Sequence, residues 1–159
     1  MPRWLIILLA VAAAFVLLIG GTLVAGVAWI VRNSRPPEGV TVGIAQPAEI
    51  RVGDTFDVVV TVGDSLGRRR TIRDIDFYDP LLDGVSVVKV DPPYAAYDGS
   101  AGIATFTMEA PIEPNAFATV TFTFKAEQAG FYAGDLDVGV DGMMRIESTP
   151  HSITIGEKR

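Results

Sequence analysis

The chain has 159 residues and a formal net charge of −6. Its 28 residues from Trp4 to Val31 carry no charge, whereas all 19 acidic residues follow position 32. No cysteine and one histidine exclude a disulfide framework, thiolate chemistry, a His-rich metal cage and a His-based proton relay. Beyond position 32, eleven basic residues against nineteen acidic ones leave −8. A polyphosphate would be repelled by such a domain, so nucleic acid is excluded as a partner; only Arg68, Arg69, Arg70 and Arg73 cluster.

The first element expected in chain order is a transmembrane anchor helix over residues 1–32. A helix of that uncharged length is about 42 Å long, enough to cross a hydrocarbon core of about 30 Å with some tilt. Trp4 and Trp29 mark its two interfaces, and Arg3 and Arg32 place charge in water just beyond them. A cleaved signal peptide would need only about 7–15 apolar residues, roughly half of what is present. Gly21 and Ala25 form a small-xxx-small pair that would let two such helices approach, although the same pair is ordinary in apolar segments. Positive charge is balanced across the segment. The orientation therefore rests on the domain: a cysteine-free soluble unit on a short stalk fits the outside of a plasma membrane, residues 33–159 being extracytoplasmic.

Pro36 and Pro37 end the anchor, and residues 33–39 form a stiff stalk. Residues 40–156 then read as strands. Val40, Val42 and Ile44 alternate with polar or small residues, as do Phe56, Val58, Val60 and Val62, with Gly53 and Asp54 turning between the two runs. In Ile72–Tyr78, Ile75 and Phe77 oppose Asp74 and Asp76; Val85–Val90 is a more continuous apolar run, and Ile103–Met108 adds another strand. Val120, Phe122 and Phe124 alternate with three threonines, and Leu136, Val138 and Val140 with Asp135, Asp137, Gly139 and Asp141. Ile153 and Ile155 close the domain before a polar tail at 157–159. About eight short strands without an amphipathic helix between them predict an all-β fold, two packed antiparallel sheets in an immunoglobulin-like or jelly-roll-like sandwich.

Few residues offer chemistry. His151 has no Gly-x-Ser-x-Gly elbow to serve, and no Gly-rich phosphate cradle with a following Lys occurs, so neither catalysis nor a cofactor is expected. His151 itself reads as a surface or strand-edge residue. Carboxylates are more numerous: Asp135, Asp137 and Asp141 share a strand face, and Asp74, Asp76, Asp79 and Asp83 crowd another. Calcium needs six to eight oxygens, and strand-mates two apart lie about 6.6 Å from each other, so solvated outer faces explain these acids better than a bound ion. Tyr94 and Tyr97, in the loop Asp91–Gly102, either display two rings at a loop tip to a protein or a sugar, or seal the open end of the sandwich. Arg68, Arg69 and Arg70 fall between two strands, where they decorate a hairpin, either solvated or facing an acidic partner. Tyr132 fits a tyrosine that ties down a corner through its hydroxyl.

The segments Val52-Gly-Asp-Thr-Phe-Asp-Val-Val-Val-Thr-Val62, Phe77-Tyr-Asp-Pro-Leu81 and Val120-Thr-Phe-Thr-Phe-Lys-Ala126, followed by Ala129-Gly130, resemble bacterial extracellular β-sandwich modules and, among them, cohesins. The resemblance implies a sandwich that docks other proteins through a sheet face. The domain is shorter than a usual cohesin, and the chain holds neither a dockerin nor a scaffold repeat. The expectation is a membrane-anchored, extracytoplasmic, non-enzymatic module that binds a protein through anchors such as Tyr94 and Tyr97. The alternatives are a structural accessory of a cell-envelope complex assembled through the anchor helix, and a carbohydrate-binding module using the same tyrosines.

Overall fold

A computed structural model describes residues 36–142 and 146–158. The anchor helix expected over 1–32, its Gly21/Ala25 pair and the first residues of the stalk lie outside them. Residues 36–159 form a compact unit of their own. Among the described residues there is no helix, and hence none long and apolar enough to cross a membrane.

Ten strands run in chain order: β1 (Val40–Ala45), β2 (Ile50–Arg51), β3 (Thr55–Asp64), β4 (Arg70–Tyr78), β5 (Val85–Asp91), β6 (Ala96–Asp98), β7 (Ile103–Ile112), β8 (Phe117–Ala126), β9 (Gly130–Val140) and β10 (Ile146–Gly156). They make two sheets, a four-stranded one in the order β1-β3-β8-β5 and a six-stranded one in the order β2-β10-β9-β4-β7-β6. The domain is an all-β two-sheet sandwich. Two strands exceed the sequence expectation, β2 and β6. They are two and three residues long, too short for an alternation to be read, and each sits at an edge where only one neighbour is needed. Pairing is antiparallel throughout except that β2 runs parallel to β10.

The alternation seen in sequence sets which face is buried. Val58, Val60 and Val62 of β3, Val120, Phe122 and Phe124 of β8, and Leu136, Val138 and Val140 of β9 are fully enclosed between the sheets. Ile72 and Ile75 of β4 both point inward although three positions apart, an offset that strict alternation forbids. A β-bulge between Ile72 and Asp74 supplies the extra residue and restores both to the core. The sheets are joined at the centre by phenylalanines: Phe122 lies 4.9 Å from Phe77 and 5.0 Å from Phe106, in edge-to-face arrangements favoured by the ring quadrupoles.

The expected hairpin carrying Arg68, Arg69 and Arg70 is not formed. β3 and β4 belong to opposite sheets, so Ser65–Arg69 crosses from one layer to the other, and Arg70 is the first residue of β4. Its side chain is buried, with Nε 2.6 Å from Asp64 and Nη1 2.6 Å from Asp141. A basic turn was expected to be solvated because sequence cannot show that the two acids, 6 residues before and 71 after it, converge on this guanidinium.

Candidate functional site

The two sheets leave one pair of edges open on the same side. β5 ends the four-stranded sheet and β6 ends the six-stranded one, and residues of both line a cleft of about 450 Å³. Its apolar walls include Val85 and Val87 of β5 and Ile103 and Phe106 of β7; Tyr94 and Tyr97 close one side. The Val85–Val90 run, apolar throughout in sequence except Ser86 and Lys89, is an edge strand with a bulge between Val87 and Lys89, and it exposes Val87 and Val88. A bulge and a lysine on an unpaired edge discourage indiscriminate strand addition.

Tyr94 and Tyr97 are 43% and 54% exposed. Their ring centroids are 6.5 Å apart, and both pack on Phe106, at 5.4 and 5.1 Å. Phe106 is itself a core residue, so each tyrosine rests its inner side on the core and presents the rest to solvent. The rings are thus partly exposed and partly packed on the core. Tyr97 stands within β6, opposite Phe106 of β7, and not at a loop tip; backbone pairing fixes its direction. Asp79 and Asp83 enter the cleft from the turn between β4 and β5, and among the described residues no Lys, Arg or His lines it.

The arginines are placed elsewhere and have partners within the chain. Arg68 reaches Asp64 at 3.1 Å, and Arg69 reaches Glu113 at 2.6 Å. Arg70 holds Asp64 so firmly that the carboxyl pKa falls to about 2, helped by the Leu66 amide and Arg68; burial opposes this shift. The structure does not bring these arginines together with Tyr94 and Tyr97 in the cleft.

The acidic groups that sequence assigned to separate faces meet. Asp76 of β4 stands directly opposite Asp137 of β9, and Asp74 is opposite Gly139. Asp137 is 8% exposed, and one Oδ1 on each of Asp76 and Asp137 is buried without a hydrogen-bond partner. A solvated outer face was expected at Asp137; instead β9 is an inner strand of the six-stranded sheet, flanked by β10 and β4. Burial, followed by the neighbouring carboxylates, raises the pKa of Asp74, and burial raises that of Asp76. Among the described residues no group of three or more His, Asp or Glu side chains is placed to hold a metal ion.

His151 lies half-buried in β10, its Nε2 3.1 Å from Gln46 Oε1, while Gln46 Nε2 donates to the Ser152 carbonyl at 2.8 Å. Burial lowers its pKa. This amide clasp ties the connection from β1 to β2, where the chain changes sheets, onto β10. Tyr132 donates its hydroxyl to the carbonyls of Gln128 and Ala129, at 3.2 and 3.4 Å, forming the corner read from sequence.

No protein-family model and no curated protein matches the chain. Solved structures do resemble it. A cohesin module from the family 33 glycoside hydrolase of Clostridium perfringens aligns with a TM-score of 0.50 at 13% identity, over 77% of this chain and 100% of that one. The cupredoxin domain of amoB from Nitrosocaldus yellowstonii aligns with a TM-score of 0.47 at 10% identity, over 76% of this chain and 89% of the other. At such identities the cohesin likeness establishes a shared β-sandwich fold.

Proposed function

We propose that the domain is a non-enzymatic protein-binding module, held at the plasma membrane by residues 1–32, with residues 33–159 outside the cytoplasm. The observation that carries the binding role is the tyrosine pair, half-exposed beside an open cleft and seated on a core phenylalanine. Rigid aromatic rings with a fixed base and a free face lose little entropy on association, and such residues dominate binding energy at interfaces. The membrane assignment rests on the 28 uncharged residues from Trp4 to Val31 and on the tryptophan and arginine at each end. The likeness of fold to a cohesin module agrees with this reading.

The test is capture of a partner by the full-length chain from membranes solubilised in mild detergent. Tyr94→Leu with Tyr97→Leu keeps Phe106 covered by apolar carbon while removing both rings, and should reduce recovery of the partner at least about tenfold. Phe131→Leu, which removes another exposed ring, should leave recovery unchanged. Equal capture by all three proteins would overturn the role of the cleft.

A further inference from the structure

We propose that the cleft recognises a lysine or arginine side chain on a basic segment of the partner protein, an inference that rests on the reading of this cleft as the binding site. The charge lining it is of one sign. Asp79 and Asp83 contribute carboxylates, and among the described residues no basic one lines the cleft and neither acid takes part in an ion pair. Glu109, Glu113 and Glu127 stand against Arg73, Arg69 and Lys125 of the same chain, and Asp91 stands against Lys89, whereas Asp54, Asp57, Asp98 and Asp135 are exposed acids that, like Asp79 and Asp83, have no ion pair among the described residues. What sets Asp79 and Asp83 apart is their place in the lining of a cleft beside an aromatic pair.

That combination fits a long cationic side chain at each part of its length. The methylene stem of lysine or arginine gains by lying on apolar walls such as Val85, Val87 and Ile103, while its head stays near water. The cationic head is attracted to the faces of Tyr94 and Tyr97 and to the two carboxylates, and partial enclosure strengthens both attractions over their value in open solvent. The cleft's volume falls in the range of sites that hold a defined group. The net charge of −8 beyond position 32 further favours encounter with a basic partner. A neutral sugar could stack on the rings and donate hydroxyls to the carboxylates, but it would gain nothing from their net charge.

The experiment is a fluorescence anisotropy titration of the full-length chain, in nanodiscs of phosphatidylcholine, with labelled peptides Gly-Ser-Val-X-Val-Ser-Gly in which X is Lys, Arg, Gln or Glu. The Lys and Arg peptides should bind at least about tenfold tighter than the Gln and Glu peptides, and more weakly as salt is raised. Asp79→Asn with Asp83→Asn should remove at least about tenfold of that affinity with an unchanged circular dichroism spectrum, since both side chains are exposed and unpaired. Glu109→Gln with Glu113→Gln, an equal loss of charge away from the cleft, should change it little. Equal affinity whatever X is, affinity retained in the Asp79/Asp83 variant, or no binding of the Lys and Arg peptides up to about 1 mM would each overturn the inference. Partner capture that is lost in the Tyr94/Tyr97 variant but intact in the Asp79/Asp83 variant would also overturn it, while leaving the protein-binding role of the cleft standing.

Discussion

Asp76 and Asp137 face each other across β4 and β9 with a buried, unpartnered oxygen apiece, and like charges placed directly opposite in an antiparallel pair repel. Both also bear on Asp74 and on the Tyr78 phenol, with no cation among these groups. The tyrosine's pKa is raised by burial and then by Asp137. With the folded-state pKa of Asp74 and Asp76 above the ordinary carboxylate value of about 4, their contribution to stability is fully present below that value and is lost as pH rises through the raised ones. Asp64 acts in the opposite sense: its lowered pKa gives stability present above the ordinary value and lost as pH falls toward about 2. Asp137→Asn should therefore raise the melting temperature at pH 8 and change it less at pH 4, as followed by circular dichroism; a larger gain at pH 4 would contradict this account. At the corner, Tyr132→Phe deletes hydroxyl bonds to two carbonyls and should cost about 1 kcal/mol in denaturant unfolding. Gly84→Ala should be destabilising as well, because a Cβ at that position would overlap the Tyr132 ring. The tyrosine corner was legible in sequence because its partners are three and four residues away; the Asp76–Asp137 contact was not, because it spans two strands that only the sheet order brings together.

At the scale of elements, the crossing between β3 and β4 is held chiefly by the buried Arg70 guanidinium, with Arg68 also on Asp64. Arg70 joins the end of β3 through Asp64, the end of β9 through Asp141 and the segment before β1 through the Glu38 carbonyl at 3.2 Å. Removing one member of a buried ionic group leaves its partners charged and unsolvated. Arg70→Ala should lower the melting temperature well beyond Arg69→Ala, whose ion pair with Glu113 is largely exposed and contributes little. Equal losses would show that burial does not distinguish these arginines. In sequence, Arg68, Arg69 and Arg70 are alike; their difference arises from strand placement, which buries only the third, between Asp64 and Asp141. The β4 bulge was partly visible, since Ile72 and Ile75 break the two-residue period that Ile75 and Phe77 then keep. The edge strands β2 and β6 carried no such signal, their pairing being set by neighbours distant in the chain.

For the whole molecule, cohesion comes from the layer between the sheets, and Phe122 stands at its centre. Its ring meets Phe77 and Phe106 of the opposite sheet. Phe122→Ala should cost about 3–5 kcal/mol in urea unfolding, as a cavity opens where both sheets lose contact together. A cost below about 1 kcal/mol would mean that the sheets are held chiefly at their edges. The sequence by itself determined the all-β class and the inward set of residues in the long strands, because a pleated strand with one buried face imposes a period of two on local composition. It also placed Tyr94 and Tyr97 close together in one segment, Asp91–Gly102. Tertiary structure alone decided that two sheet edges open side by side, that Asp79 and Asp83 share a cleft with those rings, and that the arginines are engaged within the chain. Each of these is a juxtaposition of residues far apart in the chain, fixed by strand order and register, for which local composition holds no record.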